Sequence, residues 1–399
     1  MKNFTNFNIY LYTDILFGKD TEKEAGKMIR KHGGTRVMVV YGGGSVKKSG
    51  LFDRVAKTLK DEGLYFIEFG GVHPNPRRSL VEKGIKIAND EKIDFMLGLG
   101  GASSIDTAKG IALALANNGE YWKFYTGVPA EKMAPVGTIH TIAAAGSETS
   151  RSSVLVDDIE TGRKLGFMWE CARPVFAIMN PELTYTVSPY QTGSGAVDIV
   201  AHTVNRYFTK GMPTSCLGDE FAEGLIRTVI KYAPIAIAKP DDYEARAELM
   251  MSASFSHNDI TWVGRSGLRG VEHALEHQFS GHYDTAHGAG LAVVMPALLQ
   301  YIIDNGTPEQ AARVAQFGAG VFGIRADLAD IKASANAGVR AFRSWIHSVG
   351  MPLTLGELGV PKAELPAMVK RTMDANNGKI LGFIDLDEKA VTAIYSSMV

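Results

Sequence analysis

The amino-acid sequence predicts an α/β chain in two parts: a Rossmann-like parallel sheet with its helices over residues 1–182, and an all-helical part over residues 183–399. Three observations predict it. Short apolar runs rich in β-branched residues alternate with helical stretches as far as residue 142. From Pro189 onward such runs nearly vanish, and long stretches of helical periodicity replace them. Histidines at helical spacing gather only in this second region. Strands separated by helices of ~10–15 residues read as βαβ units of a doubly wound sheet.

The elements follow in order. Residues 21–32 read as a helix stopped by Gly33 and Gly34, a common helix-ending signal. Residues 36–41 (RVMVVY) form a strand ending in glycines, and residues 51–62 a helix. Strands are expected at 65–69, 94–99 and 138–142, with helices at 78–89 and 103–116. In the second part, helices are expected at 189–208, 217–238, 243–257, 288–303, 308–322 and 331–349. Met179, Asn180, Pro181 and Glu182 read as a hinge, and a cleft between the parts is the default ligand site.

Composition bounds the function. The 399 residues are 45% hydrophobic and 21% charged, and 42 basic against 43 acidic residues leave a net charge of −1. Such a balance carries no polyanion footprint, so no nucleic-acid partner is expected. The two cysteines, Cys171 and Cys216, match no disulfide framework or C-x-x-C pair, and a reducing compartment is the simpler reading. The first ten residues are polar and lack the apolar core of a secretory signal. Residues 288–303 are apolar but interrupted by Pro296 and shorter than the ~20 residues of a membrane span, so they read as a core helix. A cytoplasmic protein without a membrane partner is expected.

Asp198 and His202 stand at i and i+4, on one face of a helix. His273 and His277 repeat the spacing, with His282 and His287 close behind. A D-x-x-x-H pair alone is common by chance. These residues sit among Ala196, Val197, Ile199, Val200, Ala274 and Leu275, where carboxylates and imidazoles need partners. A carboxylate and several imidazoles on neighbouring helices suit a divalent metal such as Zn²⁺ or Fe²⁺. The motif is not H-E-x-x-H, since Ala274 follows His273.

Three loops follow strands. Gly100, Gly101, Ala102 and Ser103 open a helix that carries Asp106. Small residues there let backbone N–H groups approach a pyrophosphate, although a plain β–α turn reads almost as well. Gly42, Gly43, Gly44 and Ser45 precede Lys47 and Lys48. The loop has no carboxylate to repel a 2′-phosphate and has donors to receive one; a flexible turn with solvated lysines is the plainer reading. The stretch from Thr141 through Ala145 to Glu148 is a weaker candidate floor for a cofactor.

Together these segments resemble the iron-containing (group III) alcohol dehydrogenases, closest to the NADPH-dependent butanol dehydrogenase and aldehyde reductase branch. The resemblance spans the chain. It rests on the glycine loops, on Val72-His73-Pro74-Asn75-Pro76, on Asn180-Pro181-Glu182, on Asp198 with His202, and on His273, His277 and His287. It implies a dehydroquinate synthase-like architecture and one Fe²⁺ or Zn²⁺ held by Asp198, His202, His273 and His287. It places His277 near nicotinamide and substrate, where it could pass a proton, and gives His282 no role. Gly100, Gly101 and Ser103 match the pyrophosphate loop, and Thr141 and Ala145 a second cofactor stretch. Asn75 and Lys164 fall where relatives touch the ribose or nicotinamide side. Gly43 takes the place of the acidic residue of NAD-preferring relatives, which implies NADP(H). A small aldehyde or alcohol substrate and a homodimer come with the resemblance. The sequence departs from the family at Ala102, Ala145, Asn180 and Asn205; at 205 the family commonly has Glu. A rival within the same architecture is a dehydroquinate synthase-type lyase. Its phosphorylated substrate calls for a cluster of basic residues, and the helical motifs offer Arg206, Arg265 and Arg269 but no dense cluster.

Overall fold

The structure, a computed structural model, describes residues 6–211, 215–265, 270–325, 327 and 329–399. It divides into two compact units, Tyr10–Thr186 and Val187–Val399, with the described residues before Tyr10 grouped with the second. The first unit runs past residue 182. Asn180 caps the 3₁₀ turn Pro181–Thr184, accepting from the Glu182 amide at 3.1 Å, and its own amide donates to Glu22 at 3.0 Å. The expected hinge residues are therefore tied into the α/β unit.

Eight strands occur in the α/β unit: β1 Asp14–Phe17, β2 Arg36–Tyr41, β3 Tyr65–Phe69, β4 Phe95–Gly100, β5 Val136–His140, β6 Ser152–Val156, β7 Lys164–Met168 and β8 Phe176–Met179. Six form one sheet in the order β1-β8-β5-β4-β2-β3, every neighbouring pair parallel. β6 and β7 pair antiparallel in a separate hairpin. Helices α1 Ala25–Lys31, α2 Ser45–Lys48, α3 Leu51–Asp61, α4 Arg78–Asp90, α5 Ala102–Ala116 and α6 Trp122–Tyr125 complete the unit. The central strands are apolar on both sides because both faces are covered. Met38, Val40 and Met96 pack into one cluster, and Val37, Val39, Phe95, Leu97 and Leu99 into the other. Each such fully buried side chain contributes ~1.5–3 kcal/mol. β5 begins two residues earlier than the sequence pattern suggests. Its register runs from Met96↔Val136 to Gly100↔His140, so Thr141 and Ile142 lie beyond the ladder.

The chain passes from β2 outward to β3 and returns across it to β4 on the other side of β2. The carboxyl ends of β2 and β4 therefore flank a topological switch point, where open α/β sheets bind ligands. The loops that begin at Gly42 and Gly100 both rise there. A Cβ added at Gly42 would stand 4.0 Å from Ser104 Oγ at the start of α5.

The second unit holds α7 Pro189–Tyr207, α8 Cys216–Ala238, α9 Tyr243–His257, α10 Glu272–His282, α11 His287–Asn305, α12 Pro308–Phe322, α13 Ile331–Ser348, α14 Leu365–Ala375 and α15 Glu388–Ser396. α7 starts as its sequence suggests, with Ser188 as N-cap accepting from the Gln191 amide and Pro189 in the first turn. α11 is long and apolar enough to cross a membrane by length and composition, and 78% of that window is buried inside the structure. α7 and α11 lie unusually close: a Cβ at Gly288 would sit 1.9 Å from the Ser194 carbonyl oxygen. That approach brings the first residue of α11, His287, beside Asp198 of α7.

Candidate metal centre and nucleotide loops

Three helices converge on one point. Asp198 and His202 lie one turn apart on α7, with Asp198 Oδ1 3.4 Å from His202 Nε2 and 3.9 Å from His287 Nε2. Ligand atoms of Asp198, His273 and His287 all fall within 4.8 Å of one another. The ring of His273 stands 4.8 Å from that of His202 and 5.3 Å from that of His287. Asp198 and His202 are buried, His273 and His287 partly so.

The electrostatics suit a cation. Burial, reinforced by His257, His273, Arg206 and His287, holds the His202 pKa well below the usual imidazole range, so its ring is neutral and keeps a lone pair at neutral pH. The buried Nε2 of His273 has no hydrogen-bond partner among the described residues. One carboxylate and three imidazoles around such an atom are an N/O donor set that fits Zn²⁺ or Fe²⁺.

His277 lies one turn beyond His273, its ring 5.9 Å from that of His287. It shares a second close group with Glu276 and His287. His282 is exposed and packs edge-on against Tyr283, away from this cluster in role as in the sequence reading.

Four participants carry no metal-ligand spacing in the sequence. His257 stacks on His202 at 4.0 Å. Glu272 Oε1 lies 3.0 Å from His273 Nδ1, and Glu276 Oε2 contacts His287 Nδ1. Asn205, noted only as a departure, donates from Nδ2 to Glu272 Oε1 at 2.6 Å. A buried Glu immediately before a candidate ligand in an apolar segment is the one signal that could have pointed to Glu272.

Among the nucleotide-unit candidates, Gly100 has φ +144°, a conformation that favours glycine, and α5 opens at Ala102 directly after Gly101. The Thr141 amide donates to the Gly100 carbonyl at 3.1 Å, joining the loop after β4 to the loop after β5. Ser103 and Ala145 are partly exposed on these two loops. Asn75 and Lys164, far apart in sequence, meet: Lys164 Nζ donates to Asn75 Oδ1 at 3.2 Å. Asp106 is engaged within the protein. It accepts from Ser147 Oγ at 2.6 Å and from the Val154 amide at 3.2 Å, and burial raises its pKa. It shapes the loop after β5 from below.

The loop after β2 needs a correction. Its sequence alone shows no carboxylate and two lysine donors. Because β2 and β3 pair in parallel with Val39 opposite Glu68, Glu68 comes beside it. Glu68 Oε2 takes Lys47 Nζ and, at 3.0 Å, the Tyr41 hydroxyl. Lys47 is thus partly neutralised, while Lys48 is exposed. Gly43 and Gly44 have open space around an added Cβ, and Ser45 begins α2.

The arginines offered for a phosphorylated substrate are engaged elsewhere. Arg206 is 1% exposed and binds the carbonyls of His202 and His257 at 2.9 and 3.4 Å. Arg265 binds the Arg206 and Thr261 carbonyls and Asp219. Arg269 lies outside the described residues.

Comparison with known proteins follows the same lines. Residues 13–181 match the model of the iron-containing alcohol dehydrogenases, and residues 192–399 that of the family's C-terminal region. The chain is 35% identical over 392 residues to NADH-dependent butanol dehydrogenase A of Clostridium acetobutylicum, covering 98% of each. It is 34% identical over 370 residues to the NADPH-dependent aldehyde reductase YqhD of Escherichia coli, covering 92% of each. The crystal structure of NADH-dependent butanol dehydrogenase A from Thermotoga maritima superposes with a TM-score of 0.92 at 34% identity over the whole of both chains.

Proposed function

This chain belongs to the iron-containing alcohol dehydrogenase family, and from that premise we propose that it reduces small aldehydes to alcohols, reversibly, with NADPH as the preferred hydride donor. The observation that carries the reading is the convergence of Asp198, His202, His273 and His287, with His273 Nε2 buried and lacking a hydrogen-bond partner among the described residues. When bound there, Fe²⁺ or Zn²⁺ supplies Lewis acidity toward a carbonyl oxygen, and the nicotinamide supplies the hydride.

The chain's own residues do the rest. Asp198, His202, His273 and His287 bind the ion and fix where a substrate oxygen can approach. The Gly100–Ser103 turn and the N-terminus of α5 offer backbone N–H groups and a favourable dipole to the pyrophosphate. Asn75 and Lys164, already bonded to each other, receive the ribose or nicotinamide side. His277 carries the proton on its imidazole nitrogen to the oxygen of the product alcohol. Gly43, without a carboxylate, and the exposed Lys48 support NADP(H), against which Glu68 weighs by holding Lys47. The named relatives include NADH- and NADPH-dependent enzymes, so the preference is argued from these residues. A homodimer is supported by the family resemblance, and a cytoplasmic setting by two free cysteines, Cys171 and Cys216.

The test is oxidation of NADPH with butanal, followed at 340 nm, by protein reloaded with Fe²⁺ or Zn²⁺ beside a chelated control. Metal-dependent oxidation that is weaker with NADH is the expected result. No oxidation with either metal, by protein that binds NADPH, would overturn the proposal.

A further inference from the structure

We infer that Glu272 and Glu276 are positioning residues for the metal centre, each burying a carboxylate against the Nδ1 of one ligand histidine, with Asn205 orienting Glu272. The inference rests on the reading of His273 and His287 as ligands.

Two buried carboxylates stand against the Nδ1 atoms of two ligand histidines. Glu272 is 1% exposed and its Oε1 meets His273 Nδ1 at 3.0 Å. Glu276 is fully buried and its Oε2 meets His287 Nδ1, while Ser280 Oγ donates to the same oxygen at 3.1 Å. An ionised carboxylate only accepts hydrogen bonds, so an imidazole that faces one through Nδ1 carries its proton there; His273 makes this hydrogen bond, and His287 stands in close contact for it. Each ring then presents the Nε2 lone pair: that of His287 lies 3.9 Å from Asp198, and that of His273 is the buried atom without a hydrogen-bond partner among the described residues. Carboxylates in this position fix ring orientation and tautomer and make the imidazole a better donor.

The surroundings are shaped for both carboxylates. A Cβ at Gly270 would fall 2.3 Å from Glu272 Oε2, and one at Gly290 would fall 2.6 Å from Glu276 Oε1. A side chain at either glycine would displace the carboxylate. Asn205 sits one turn past His202 on α7. Its Nδ2 donates to the Gly270 carbonyl at 3.0 Å and to Glu272 Oε1 at 2.6 Å, while the Gly270 amide donates back to the Asn205 carbonyl at 3.0 Å. The Gly270 carbonyl can only accept, so the amide nitrogen of Asn205 must face α10. The departure at Asn205, where a carboxylate is common in the family, thus coincides with a carboxylate supplied by α10 itself.

The test uses the full chain stripped of metal and reloaded. Zn²⁺ affinity is measured by competition with a chromophoric chelator, and the ligand field by the visible absorption of the Co²⁺ form. Glu272→Gln and Glu276→Gln keep shape but can no longer accept in the same way. Each is expected to weaken Zn²⁺ binding ~10–100-fold and to shift the Co²⁺ bands. Gly270→Ala leaves every ligand and charge in place and is expected to act in the same direction, so it carries the test if Glu272→Gln does not fold. A merely structural role would lower the melting temperature of the metal-free protein without moving either readout. Wild-type affinity and Co²⁺ spectrum in both Gln variants would overturn the inference while leaving the ligand set intact. A wild-type chain that binds no metal would overturn it together with the proposed function.

Discussion

Replacing Lys109 by methionine removes a charge from inside the α/β unit. Lys109 is fully buried on α5, and its ammonium donates to the carbonyls of Ser147, Ser150 and Ser152 at 2.8, 3.0 and 2.8 Å. It thereby holds the loop after β5, one of the stretches read as cofactor floor. Three buried carbonyls that lose this charged donor cost ~2 kcal/mol each, or ~6 kcal/mol together. Against this, the variant escapes the cost of burying the charge. Burial pushes the Lys109 pKa from 10.5 down to about 8, which corresponds to roughly 3 kcal/mol. The net expectation is a loss of ~3 kcal/mol at pH 7, an order-of-magnitude figure. The pH dependence has a definite sign. Between about 8 and 10.5 the unfolded lysine binds a proton that the folded one does not, so the wild type gains stability as pH rises through that window. The methionine variant lacks this gain, and the gap between the two should widen. Urea unfolding of both proteins from pH 7 to 10 measures it, and the variant's KM for NADPH should rise as the loop loosens. A gap under ~1 kcal/mol at pH 7, or one that narrows towards pH 10, would refute the assignment of Lys109 as the clamp.

Other expectations follow from the site. Gly43→Asp meets open space and should fold as the wild type does. Its carboxylate should move preference from NADPH toward NADH, by at least ~10-fold in the ratio of kcat/KM values; an unchanged ratio would contradict the specificity argument. His277→Ala should lower kcat ~100-fold with metal content unchanged, whereas loss of metal would recast His277 as a ligand.

Much of this was legible in the sequence because the relevant periods are strong. β2 and β4 are buried on both faces, so RVMVVY and FMLGL stand out as apolar runs. The helices of the second unit follow their caps and breaks closely, and Tyr243–His257 and Pro308–Phe322 match the expected bounds. β1 and β8 escaped because four residues, DILF and FAIM, are too few to show a period. The hairpin of β6 and β7 escaped because Ser152, Ser153 and Lys164 mask the alternation. At the site, helical spacing exposed Asp198 with His202 and His273 with His277, since i and i+4 share a face. Glu272 and Glu276 stayed hidden: an acidic residue in the first turn of a helix usually serves its dipole in solvent, and one further along usually lies on its exposed face. Their burial depends on Gly270 and Gly290, whose empty Cβ positions mean something only once α7, α10 and α11 are packed. Glu68 was missed for a similar reason, since only strand register sets it beside Lys47.

The central claim is that Asp198, His202, His273 and His287 hold the ion on which turnover depends. Its most direct test is metal content by mass spectrometry, measured beside NADPH oxidation with butanal, for the wild type and for Asp198→Ala and His273→Ala. The account predicts one ion per wild-type chain, and loss of both metal and turnover in each variant. A variant that keeps full occupancy and full turnover would contradict it.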